Sequence, residues 1–167
     1  VEIHASSQSL VIEGVDDFFA GLLRNLPQEA ETSEDDPALE RLYSLPSADE
    51  EDEASEEWRE FVHPELKTLF QDAMLTVRSD LQKMSAGRDE KGEYRLVIER
   101  PHFEAWINAL NQVTLALAAR HQLTEVDLTR RGMLSIFNER ERAVFQIELF
   151  HHIQELLVRV LMGENEE

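Results

Sequence analysis

The stretch Tyr94-Arg95-Leu96-Val97-Ile98-Glu99-Arg100-Pro101 decides how this chain folds. It is aromatic and β-branched, and it is closed by a proline that cannot donate to a ladder, so it reads as a strand over 94–99. A lone strand cannot satisfy its own backbone donors and acceptors, so this one needs partners. The N-terminus offers them. Val1 and Ile3 alternate with Glu2 and His4, Ser6-Ser7-Gln8 supplies a turn, and Leu10-Val11-Ile12 resumes before Gly14. Pairing a hairpin at the start with a strand at 94 makes a small antiparallel sheet from both halves of the chain. This argues for one domain over 1–163, followed by a charged tail at 164–167.

The segments between and after these strands carry a helical period. Asp16 or Asp17 can cap a short helix through Asn25, with Phe18, Phe19, Leu22, Leu23 and Leu26 on one face and Pro27 as its stop. Asp36-Pro37 signals a second short helix bearing Leu39, Leu42 and Tyr43. A third is expected over 54–62, with Trp58, Phe61 and Val62 on one side. Pro64 then lacks the donor a helix interior requires, so the sequence predicts a new helix starting there.

From Pro64 to about Met84, Leu66, Leu69, Phe70, Ala73, Val77, Leu81 and Met84 recur at steps of three and four, while Lys67, Asp72, Arg78 and Asp80 take mostly other angles. Another long helix follows Pro101 and ends near His121, with Phe103, Trp106, Ile107, Leu110, Val113, Thr114 and Leu117 on one face. Thr124 can cap a short segment with Asp127, and Asn138 can cap a last helix ending near Met162, before Gly163. That helix has apolar residues on nearly every side, so it is either central to the core or covered by a second copy in a homodimer. The expected class is α+β, mainly α: a bundle of two or three long helices, short helices, and a small antiparallel sheet.

The composition narrows what such a fold does. Across 167 residues, 35 acids face 16 bases, for a net charge of −19. Residues 1–60 hold 18 acids and 3 bases, net −15, and the rest is close to balance at −4. The charge concentrates in Glu29, Glu31, Glu34, Asp35 and Asp36, then in Asp49, Glu50, Glu51, Asp52, Glu53, Glu56 and Glu57. Such blocks repel one another and stay solvated, so 27–36 and 46–53 read as exposed connections. They serve either as plain solvated loops or as a docking surface for a basic partner.

Direct nucleic-acid binding is not expected, because the one basic cluster, Arg130, Arg131, Arg140 and Arg142, is interrupted by Glu139 and Glu141. Zero cysteines exclude disulfides, thiolate nucleophiles and zinc knuckles, and fit a reducing, cytoplasmic setting. No apolar run reaches the roughly 18 residues a membrane span needs, and the first ten residues do not read as a secretion signal.

Few residues point to chemistry. Glu148, His151, His152 and Glu155 place two acids and two imidazoles within two turns of the last helix, a spacing seen in carboxylate-bridged metal sites of bundles. Ordinary helix histidines among wet-face acids explain the set as well. His63 and His102 stand where a helix begins. No phosphate loop, nucleophile elbow or cofactor motif occurs. Asn108 and Asn111, one turn apart on a largely apolar helix, either bond neighbouring backbone or line a small pocket.

The runs Leu22-Leu23-Arg24-Asn25-Leu26-Pro27, Asp36-Pro37-Ala38-Leu39-Glu40-Arg41-Leu42, Trp106-Ile107-Asn108-Ala109-Leu110-Asn111 and Leu115-Ala116-Leu117-Ala118-Ala119-Arg120 stand in that order. Together they resemble the bacterial "domain of unknown function 2017" family, whose pattern reads LLR-x-LP, DPAL-x-RL, W-L-x-ALN-D and LALG-x-R. Glu57-Trp58-Arg59-Glu60-Phe61 sits where members carry an acidic-aromatic helix. The chain departs from the pattern at Gln112, where an acid is usual, and at Ala119, where a glycine is. The resemblance implies a cytosolic bacterial protein of regulatory or adaptor type. Some relatives look like redox-responsive partners of the transcription machinery; that mechanism needs cysteines, so it is not carried over.

Three functions compete. The first is a non-enzymatic interaction domain that meets a basic protein partner through Asp49, Glu50, Glu51, Asp52, Glu53, Glu56, Glu57, Trp58 and Phe61. The second is a metal- or small-ligand-binding protein centred on the 148–155 face. The third is an acidic, phosphate-mimicking inhibitor of a basic partner.

Overall fold

In a computed structural model, residues 1–129 and 138–163 are described. Arg130 and Arg131 of the basic cluster and the 164–167 tail lie outside them. The class is α+β, mainly α, and the described residues form three long helices, shorter helices and one small sheet.

The sheet forms as its alternation dictates. Strands β1 (Glu2–Ala5), β2 (Ser9–Val15) and β3 (Tyr94–Glu99) are antiparallel in the order β1-β2-β3. Leu10 faces Ile98, and Ile12 faces Leu96. These four share the buried face, while Glu13 and Arg95 on the other face are joined at 2.7 Å. The pairing shifts between Ile12 and Val15, and Gly14 takes φ 66° there, a left-handed conformation that glycine adopts without a Cβ penalty.

Helix α1 (Asp17–Glu29) is capped by Asp16, whose carboxylate accepts from the Phe19 N–H at 2.8 Å. The expected stop at Pro27 is corrected: the helix runs on to Glu29 with the proline inside it. Pro27 gives the Leu23 carbonyl no hydrogen bond, but only two helical residues follow it, and the Ala30 N–H still reaches the Leu26 carbonyl at 3.1 Å.

Pro64 stands in the first turn of a long helix, as expected, but the preceding helix is not separated from it. Helix α3 (Glu53–Glu57), a π-helical turn over Trp58–Val62 and helix α4 (His63–Ala86) follow one another without interruption. Pro64 cannot donate and its ring crowds the carbonyl four residues back, so the backbone widens to a five-residue bond, His63 N–H to Trp58 carbonyl. This turn buries nothing. Phe61 and Val62 are exposed rather than forming an inner face with Trp58, and Leu69, expected on the buried stripe of α4, is 46% exposed.

Helix α5 (Phe103–Arg120) packs against α1, α4, short helix α2 (Ala38–Leu42) and α7 (Glu139–Met162). One hydrophobic cluster draws on β2, β3, α1, α4, α5 and α7 and contains Phe103, Trp106 and Phe150 at 0% exposure. Each large side chain buried there adds roughly 1.5–3 kcal/mol of transfer free energy. Helix α7 keeps Val144, Ile147, Phe150, Ile153, Leu157 and Val160 inside, so its main apolar stripe is covered within this chain. Asn138 caps its start, and Gly163 at φ 81° ends it. Short helix α6 (Glu125–Thr129) opens with the expected pair, the Thr124 N–H and hydroxyl both donating to Asp127 at 2.8 Å. Those bonds, with a third from Arg140, hold the Asp127 carboxyl down to about 2.

Candidate functional site

The 46–61 segment is built around Ser55, a buried residue in a run of acids. Its hydroxyl donates to the Asp49 carbonyl at 2.8 Å, and its N–H is capped by Asp52 at 2.7 Å. Asp49 in turn accepts from the Glu51 N–H. Bonds from Ser47 and then Ser55 lower the Asp52 carboxyl below its ordinary value, so it stays ionised. With Asp52 and Ser55 tied down, Asp49, Glu50, Glu51, Glu53, Glu56 and Glu57 remain exposed. The acidic connection is therefore an ordered, charged surface.

An aromatic box adjoins it. In an α-helix, residues five apart stand about 140° from each other around the axis. The π turn removes that offset, and the Trp58 ring stacks on His63 at 5.7 Å with 19° between planes. Tyr43 meets the same imidazole edge-on at 4.5 Å and 86°. Tyr43 is held by the small cluster of Ala38, Leu42, Phe70 and Ala116, and its burial raises the phenol above 10 so that it stays neutral. The three rings line a cavity of about 610 Å³, together with Glu40, Glu50 and Arg59. Spacing on an ideal helix could not reveal the box, because it depends on the π turn and on a short helix from elsewhere in the chain.

The helix bearing Tyr43 is positioned by Arg120. Its guanidinium donates to both Asp36 oxygens, to the Glu29 carbonyl at 2.6 Å and to the Glu31 carbonyl at 2.7 Å. Asp36 also caps the Ala38 N–H at 2.9 Å. The Arg120 hydrogen bond is the main reason the Asp36 carboxyl lies below its ordinary value.

A second cavity, of about 590 Å³, lies across Tyr43 from the first. Its lining includes Ala30, Phe70 and Met74, all buried, and Gln112. The expected pocket residues Asn108 and Asn111 line neither cavity; Asn108 is half-buried and Asn111 exposed, and the neighbouring Gln112 takes the lining position. On α7, Glu148, His151, His152 and Glu155 are all exposed, and Glu155 pairs with Arg159 at 2.7 Å. Among the described residues, no three His, Asp or Glu side chains are grouped to hold a metal ion.

Asp80, assigned by its angle to the polar side of α4, is 2% exposed. One oxygen meets the His102 Nδ1 at 2.8 Å and accepts from the Trp106 indole at 3.0 Å; the other accepts from Lys83 at 3.4 Å. This cluster ties α4 to the start of α5 and lies outside both cavities.

Among the described residues, no helix is long and apolar enough to cross a membrane. A family model described as "Domain of unknown function (DUF2017)" matches residues 5–161. No curated protein and no solved structure matches the chain.

Proposed function

Since the chain belongs to the DUF2017 family, which carries no assigned activity, we propose from its own geometry that it is a non-enzymatic, cytoplasmic adaptor or regulatory domain that binds a basic segment of a partner protein. The observation that supports this most is the convergence of Tyr43, Trp58 and His63 on a cavity that also holds Glu40 and Glu50. A Lys or Arg side chain entering that box gains cation–π contact with the rings and charge pairing with the carboxylates. The exposed acids over 49–57 steer the rest of the segment, and Phe61, exposed on the same π turn as Trp58, offers it an apolar contact.

Titration of the full chain with an arginine-rich 12-residue peptide, read by Trp58 fluorescence, tests this. Binding should saturate, weaken at least tenfold between 50 and 300 mM salt, and disappear in Tyr43→Leu and in the Glu40→Gln/Glu50→Gln double variant. Trp106, the other tryptophan, is fully buried and serves as the internal reference. Absence of saturable binding, or binding that survives both variants, removes the proposal.

A further inference from the structure

One face of α4 is closed along its second half and open along its first. At about 100° per residue, Val62, Leu66, Leu69, Ala73 and Asp80 fall within an arc of about 60°. Farther along the helix this arc lies inside the protein: Ala73 is buried, and buried Asp80 accepts from Trp106 of α5. Over the first two turns the same arc comes out into solvent. Val62 is 44% and Leu69 46% exposed, Leu66 is half-buried against the small cluster of Phe70 and Ala116, and Phe61, in the π turn, is 61% exposed. Large apolar side chains exposed side by side mark a surface that another molecule covers, whereas single ones need no explanation.

The flank of this stripe selects the occupant. Glu65 and Asp72 lie about 60–80° to one side of Val62 and are exposed, as is Glu60 in the π turn; Asp72 also borders the second cavity. The neighbouring bases are turned to the cavities, Arg59 to the first and Lys67 to the second. An apolar stripe with an acidic flank complements an apolar stripe with a basic flank. A second copy of this chain is disfavoured, because a two-fold antiparallel pairing of α4 with itself sets each flank against the same flank, acids against acids, in a chain of net charge −19. A helix also offers no free backbone edge to an added strand. What remains is side-chain packing of the kind that α5 already makes with α4.

We infer that the open face of α4 from Phe61 to Leu69 docks a basic amphipathic helix of a partner protein. Apolar residues of that helix at i, i+4 and i+7 meet Val62, Leu66 and Leu69, and its lysines or arginines meet Glu60, Glu65 and Asp72. This deepens the basic-segment reading and rests on it for the partner's charge, but it uses none of the three rings of the box.

Two basic peptides of identical composition test it on the full chain. One carries leucines at i, i+4, i+7 and i+11 among lysines and arginines; the other has the same leucines scattered around the helix. The patterned peptide should bind saturably, gain helicity by circular dichroism, shift the Val62 and Leu69 amide resonances, and exceed the scattered one at least tenfold in affinity. Leu69→Glu, at an exposed position, should weaken it at least tenfold even though it adds an acid, whereas attraction by charge alone would strengthen binding. Val62→Ser should act in the same direction and serves if Leu69→Glu does not fold. Absence of saturable binding, equal affinity for the two peptides, or undiminished affinity in the folded variant overturns the inference. Equal binding of both peptides would leave the basic-segment reading standing; failure of both, together with the arginine-rich peptide, would remove that reading as well.

Discussion

The indole N–H of Trp106 donates to Oδ2 of Asp80 at 3.0 Å, both side chains being almost wholly removed from solvent. His102 meets the same oxygen at 2.8 Å. The carboxylate is thus satisfied from helix α5 and from its own helix α4, and it fixes how the two pack. Asp80→Ala leaves the indole donor buried without an acceptor and should cost about 3–5 kcal/mol, measured by urea denaturation. Replacing both partners, as in Asp80→Leu/Trp106→Phe, removes the orphaned indole and should recover part of that loss. A single variant as stable as the parent would show that the cluster contributes nothing to packing.

Arg120 and Asp36 give the fold an acid-sensitive joint. The Asp36 carboxyl is lowered from 3.8, chiefly by the Arg120 hydrogen bond, so the folded state binds its proton less readily than the unfolded chain. The stabilisation is therefore complete above about pH 4 and is lost as pH falls through the lowered value. Asp36→Asn should be about 1–2 kcal/mol less stable than the parent at pH 7. The difference should shrink as pH falls through the lowered value, read from denaturation curves at several pH values. A constant difference across that range would mean the ion pair is not what Asp36 contributes.

The sheet could be read from residues 94–99 because one unpaired strand demands partners and only the N-terminus alternates in the right way. The long helices could be read because their buried stripes are made of apolar residues. Asp80 and Gln112 escaped because each is a polar residue at a buried angle: position marks them for the core, while residue type argues against it. The aromatic box escaped for another reason. Trp58 and His63 are five apart, a spacing with no meaning on an α-helix, and it acquires one only because Pro64 disturbs the bonding. Where Pro27 stands near a helix end, the same lack of a donor changes little.

Gly14 and Gly21 should respond to alanine in opposite directions. Gly14 sits at φ 66° in the irregular pairing of β2, so a Cβ there is strained whatever the space around it. Gly21 lies inside α1 with no atom within 4 Å of the position a Cβ would take. Gly14→Ala should lose roughly 1 kcal/mol, and Gly21→Ala should gain up to about 1 kcal/mol through helix propensity. Paired thermal melts decide it; a gain at Gly14 would deny the bulge.

Pro64→Ala tests whether the π turn makes the aromatic box. Alanine supplies the N–H that proline lacks and removes the ring that crowds the Glu60 carbonyl, so the ordinary four-residue bond becomes available across the turn. Rewinding it as α-helix would swing Trp58 away from His63, since five α-helical residues place two side chains about 140° apart. The variant should therefore melt at or above the parent temperature, lose the ring-current shift of the stacked imidazole, and bind the arginine-rich peptide about tenfold more weakly. A gain in stability with loss of binding would identify the π turn as a strained feature kept for the site. Unchanged stacking and binding would instead assign the turn to the packing of Ser55 beneath the acidic segment, because that anchor resists rotation of α3.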